Sequence, residues 1–195
     1  MINRLLLVLI ALSFATAAAA QAPAPPPTPA GALRNYFNGN KNNIMRSAEK
    51  MPEEFYGLRP GPQTEVRTFG QHVAHVATYN FLWCSQAKLE KNPNAGKELE
   101  KTLTSKADIV KAVTDSFAYC DSAYTALTDA SGAEIVDITQ ENGRQVRQAR
   151  MALLMLNVIH NNEVYGSMVT TMRMKSIVPS SSEPRPAAPA PAPAR

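Results

Sequence analysis

Apolar residues recur at helical spacing along four stretches of this chain. In the first, Leu33, Phe37, Ile44 and Ala48 line one face, and Met51-Pro52 closes the segment because the residue before proline avoids the α region. A breaker-rich loop, Leu58-Arg-Pro-Gly-Pro-Gln63, leads to a second stretch from about 65 to 90. Its stripe is Phe69, Val73, Val76, Asn80, Trp83 and Ala87. The third begins near Thr104-Ser105, whose hydroxyls can cap free amides, and carries Ile109, Val113, Phe117, Cys120, Tyr124 and Leu127 before Ser131-Gly132. The fourth runs from about 144 to 175, with Leu153, Leu156, His160, Val164 and Met168 on one face. The run Ala133 to Thr139 contains Ile-Val-Asp-Ile but no obvious partner strand, so it reads as a connection packed on the bundle. The pattern predicts an all-α fold, a four-helix bundle.

The ends of the chain have a different character. Residues 1–20 pair a short basic start at Arg4 with an apolar run from Leu5 to about Phe14 and small residues Ala17 to Ala20, the pattern of a cleaved signal peptide. That run is shorter than the roughly 20 residues a membrane span needs. The expected location is therefore periplasmic or secreted. A Pro/Ala-rich linker follows over 21–31, and a second Pro/Ala-rich segment, 179–195, reads as a disordered tail, because proline removes amide donors and favours extended, solvated chain. The helical domain between them is expected over 32–178.

The formal charge is +4. Its lysines and arginines are dispersed, with no basic stripe interleaved with aromatics, so nucleic acid is excluded as a partner. Small molecules and envelope proteins remain the partner classes, and a homodimer is the assembly considered. No serine stands in a turn beside a base as a hydrolase nucleophile would. Met151, Met155, Met168, Met172 and Met174 are spaced for core filling and helix surface rather than for a soft-metal box.

Two cysteines bear on topology. Cys84 and Cys120 lie at similar distances from the ends of their helices, so parallel helices would bring the sulfurs to one depth, whereas a plain antiparallel hairpin would separate them. The link from about 91 to 103 spans about 40 Å when extended, enough to run back along a helix of about 25 residues. An oxidising compartment favours a bridge. Two buried free thiols remain the other reading.

The only candidates for chemistry are the three histidines, His72 and His75 in the second helix and His160 in the fourth. Neutral imidazole is the commonest metal ligand, and facing helices can share a divalent cation. The stretches Arg67-Thr-Phe-Gly-Gln-His-Val-Ala-His-Val-Ala77, His160-Asn-Asn-Glu-Val-Tyr-Gly166 and Val169-Thr-Thr-Met-Arg-Met-Lys-Ser-Ile-Val-Pro179 resemble the DinB superfamily of bacterial helical bundles. The resemblance covers about 33 to 178 and implies an up-down-down-up bundle with the second and third helices parallel. It also implies a divalent metal, zinc or nickel, held by one histidine of the second helix and two, spaced i and i+4, of the fourth.

By position His75 matches the first of these ligands and His160 the second, while the third falls on Val164, which cannot ligate. His72, one turn before His75, is the candidate substitute. Glu163 points about 100° away and is a poorer one. The alternative is that the imidazoles are hydrogen-bonded in or near the core. The resemblance thus implies an exported DinB-like protein of unassigned activity, metal-binding and hydrolase-like with a degenerate histidine site. Its alternative is a non-catalytic envelope bundle that binds a small molecule or a protein. Relatives include thiol-dependent transferases, but export argues against that chemistry here, since small thiols belong mainly to the reducing cytoplasm.

Overall fold

The computed structural model describes residues 27–140 and 143–184. The signal segment, most of the 21–31 linker and the tail beyond 184 lie outside those residues.

Helix α1 spans Pro29–Lys50, with Thr28 accepting a hydrogen bond from the Gly31 amide as its cap. It begins inside the expected linker, because a proline in the first turn forfeits no helical hydrogen bond. A 3-10 turn at Glu53–Phe55 leads to α2, Phe69–Lys88, opened by a capping box between Thr68 and Gln71. The link that follows contains a single-turn helix α3, Leu99–Thr102, before α4, Lys106–Ala126, capped by Ser105. The third helix was expected to run on to Ser131-Gly132. It stops at Ala126 because Thr128 caps a separate short helix α5, Asp129–Ala133.

The largest departure from the sequence reading comes next. Ile135–Thr139 is a true strand, β1, paired antiparallel with β2, Gln145–Ala149, which had been assigned to the start of the fourth helix. The register runs from Ile135 opposite Ala149 to Thr139 opposite Gln145. Gly143, at φ 82°, supplies the left-handed backbone the turn requires. Val136 and Ile138 point into the core while their neighbours face solvent, the alternation of a half-buried strand. Helix α6 therefore covers only Arg150–Arg173.

Contacts between helices set the directions. Along α2 and α4 they advance together, from Gly70 beside Ile109, through Asn80 and Ser116, to Cys84 and Cys120, so these helices are parallel. Against α6 the order reverses: Ala87 meets Arg150, Asn80 meets Asn157 and His75 meets His160. Helix α1 runs opposite to α4, with Arg34 on Tyr124 and Lys41 on Asp121. The topology is up-down-down-up. Cys84 and Cys120 are joined in a disulfide with their Cα atoms 5.4 Å apart.

The core is apolar and aromatic, with Phe37 stacked on Tyr124 at 3.8 Å between ring centroids and Ile44, Leu153, Leu154, Met168 and Met172 closed around it. Full burial of each such side chain contributes about 1.5–3 kcal/mol. At its centre lies a polar cluster with no solvent exposure. Asn80 Oδ1 accepts from Asn157 Nδ2 at 2.7 Å and Asn161 Nδ2 at 2.8 Å, and Asn80 Nδ2 donates to Ser116 Oγ at 3.0 Å.

The expected tail boundary also shifts. A 3-10 turn at Ser180–Ser182 packs on α1, where Ser47 and Ser180 hydroxyls meet at 3.3 Å and Glu183 pairs with Arg46 and, at 2.7 Å, with Lys50. These contacts hold 179–184 against the bundle because the segment offers hydroxyls and a carboxylate, not only proline.

Two stability predictions follow from this packing. Asn80→Ala strands the amides of Asn157 and Asn161, and should lower unfolding free energy by about 2–4 kcal/mol in urea denaturation. Replacing both cysteines by alanine opens a loop spanning 36 residues and should cost about 3–4 kcal/mol on the chain-entropy estimate, read in the same assay.

Candidate functional site

Helix α2 presents His72, His75, Tyr79 and Trp83 at intervals of three and four, so they rise along one side of the helix. Helix α6 brings His160 to them from the facing side. The His75 and His160 ring centroids lie 4.9 Å apart, and Tyr79 sits 4.6 Å from each. Trp83 closes the cluster with its ring edge-on to His160 at 4.9 Å. His72 makes ring contact with neither histidine among the described residues.

A fourth participant comes from α3. Glu100 Oε1 lies 2.5 Å from His75 Nδ1, and its other oxygen 2.5 Å from Arg67 Nε. A carboxylate can only accept, so the His75 Nδ1–H donates to it, which in the neutral form of the ring leaves the lone pair on Nε2. Partial burial would raise the Glu100 pKa, but the hydrogen bonds from His75 and Arg67 outweigh it and hold the carboxyl below its usual range. Sequence reasoning missed Glu100, which sits in a four-residue helix too short to show periodicity.

Burial holds the imidazoles of His72 and His160 neutral. Burial, reinforced by Arg67, pushes His72 down to about 4. Burial, reinforced by His75, pushes His160 down to about 4 as well. Nδ1 of each is enclosed without a hydrogen-bond partner. Val164, one turn beyond His160, is 7% exposed and belongs to the apolar core. In the antiparallel register of α2 and α6 it lies level with His72.

A cleft of about 890 Å³ opens beside this cluster, lined by Arg59, Arg67, Gln71, His75, Tyr79 and Glu100 among others. His75 faces it; His160 and His72 stand behind. As metal donors these residues fall short of the three-histidine set. Two imidazoles meet, and the carboxylate is engaged by His75 and Arg67. No group of three His, Cys, Asp or Glu side chains placed to hold a metal occurs among the described residues.

The model of the DinB superfamily matches residues 36–162, which run from within α1 to the middle of α6 and include all three histidines. The chain belongs to the DinB superfamily. Solved DinB-like structures share its fold. One from Bacillus cereus ATCC 10987 aligns at TM-score 0.60 and 17% identity, over 75% of this chain and 92% of that one. Another from Bacillus subtilis aligns at 0.55 and 20%, over 74% and 92%. A mycothiol-dependent maleylpyruvate isomerase aligns at 0.54 and 15%, over 72% of this chain and 61% of the isomerase. No curated protein matches. Likeness at this identity establishes the DinB-like bundle and leaves its chemistry to the residues described above.

The neutral histidines predict a pH dependence. With folded pKa values near 4 against the usual 6.5, the unfolded chain takes up protons that the folded one refuses. Stability should therefore be level above about pH 6.5 and fall as pH drops towards 4. Each histidine contributes at most about 1.4 kcal/mol per pH unit before solvent screening reduces it. Urea midpoints at pH 7 and pH 5 measure the slope, and His160→Gln should flatten it.

Proposed function

We propose that this DinB-like protein is an exported, non-catalytic bundle that binds a small molecule, and that its histidine cluster no longer serves as the family's metal centre. The observation that carries this reading is Val164, a buried apolar side chain where the third ligand would stand. Beside it, His75 has its Nδ1 tied to Glu100. What remains at the cleft is a polar, aromatic-backed wall suited to orienting a ligand. Export is supported by the apolar run ahead of Ala17–Ala20 and by the Cys84–Cys120 bridge, a linkage that oxidising compartments preserve.

One observation favours a second reading. His160 and His72 each bury an Nδ1 without a partner, and a carboxylate on the far nitrogen of His75 is how ligating imidazoles are commonly oriented. On this reading zinc or nickel is captured by His75, His160 and His72 in a hydrolase-like protein.

Calorimetric titration of tag-free protein with zinc and nickel separates the two. The first reading expects weak binding by the wild type and, in Val164→His, a gain of at least about tenfold in affinity. Tight wild-type binding that disappears in His72→Ala would instead establish the second. A folded Val164→His variant with no gain over a weakly binding wild type would mean that position 164 does not face the His75–His160 pair, and the first reading's account of the cluster would fall.

A further inference from the structure

A second groove lies on the other side of Tyr79, walled by α2, α6 and the β1–β2 hairpin. It encloses about 470 Å³, within the roughly 300–1,000 Å³ of small-ligand sites. It shares only Tyr79 and Leu82 with the histidine cleft, and its chemistry is different. The histidine cleft carries Arg59, Arg67, Glu98 and Lys101; among the described residues this groove is lined by no charged side chain.

Its floor is aromatic. Tyr79 and Trp83 sit 4.8 Å apart between centroids and are tilted by 40°, and His160 braces Trp83 edge-on. Ile138, Val146 and Leu156 form apolar walls, and the carboxamides of Gln86, Gln140 and Gln148 reach the groove from α2 and the hairpin. The side chains of Gln86 and Gln148 make no hydrogen bond to any described residue.

We infer that this groove binds a neutral, hydroxyl-rich ligand of the saccharide class. The absence of charge selects against ionic ligands, which would shed hydration without a counter-charge to replace it. The electron-rich ring faces suit a ligand that presents C–H groups on a flat face, as a pyranose does. The carboxamides decide between a sugar and a proline-rich peptide. Each amide offers an acceptor as well as donors, and both ends require partners once covered. Hydroxyls supply both, whereas a proline-rich strand supplies mainly carbonyl acceptors and would leave the glutamine oxygens unpaired. This assignment concerns a different cleft from the histidines and stands whatever the metal titration returns.

Trp83 is the only tryptophan in the chain, so its fluorescence reports the groove directly. The probes are two neutral trisaccharides, cellotriose and chitotriose, the charged trigalacturonate, and a peptide of the sequence of residues 185–195. At least one neutral trisaccharide should give a saturable change in emission, with no response to trigalacturonate or to the peptide. Joint Gln86→Ala and Gln148→Ala substitution should weaken that binding by about tenfold or more, with an unchanged thermal midpoint. Should that double variant melt early, Leu156→Glu, at a position 43% exposed, places a charge in the neutral wall and should abolish the response. The inference is overturned by no saturable change with either neutral trisaccharide up to about 50 mM, well beyond a millimolar Kd. Equal binding of trigalacturonate, a response to the peptide alone, or full affinity in the folded variants would overturn it too.

Discussion

Asn80 is the point on which the bundle turns. Its side-chain oxygen accepts from two asparagines of α6 and its amide donates to Ser116 of α4, all at zero exposure. A buried amide left without partners costs about 1–3 kcal/mol, so the arrangement of the three helices that forms these hydrogen bonds is favoured over those that break them, although Asn161 Oδ1 stays buried without a partner. Apolar faces alone tolerate sliding. This cluster does not, because a shift of one residue carries a side chain about 100° around its helix and out of hydrogen-bond reach.

Much of the remaining architecture is consistent with that register. The disulfide forms four residues along α2 and four along α4 from the Asn80–Ser116 contact, which is possible only because the two helices run the same way. Five residues in the other direction along α2 lies His75, and the antiparallel match with α6 brings His160 against it. Trp83, three residues beyond Asn80, packs on the same imidazole. A polar contact in the core thus sets the distances in the cleft.

The two grooves flanking Tyr79 divide the surface by chemistry. On one side Glu100, Arg67 and His75 form a charged, hydrogen-bonded wall. On the other, aromatic faces and glutamine amides form a wall that carries no charge among the described residues. Burial holds His72 and His160 neutral, so the interior between the grooves carries little charge at neutral pH. The buried valine at 164 fits this dry interior.

Periodicity alone determined four helices and most of their buried stripes, since each signal repeats over five or six turns; Leu156, expected on the buried face of the fourth, is 43% exposed, and that helix begins at Arg150 and not near 144. The cysteine depths and family motifs added the parallel pairing of α2 and α4. That His75 and His160 meet was legible from the motifs that place them on facing helices. Short elements carried no such signal: α3, α5 and the hairpin each have too few residues for a period to emerge, and β2 has a mixed sequence, Gln-Val-Arg-Gln-Ala, that does not announce a strand. Its identity comes from pairing with β1 and from the face it presents to the bundle. Only the folded chain could bring Glu100 back to His75 across 25 residues, or set three glutamines from two elements around Tyr79 and Trp83. Local pattern specifies which face of a helix is buried; which side chains meet across the bundle depends on register and on loops that return, and those are properties of the whole fold.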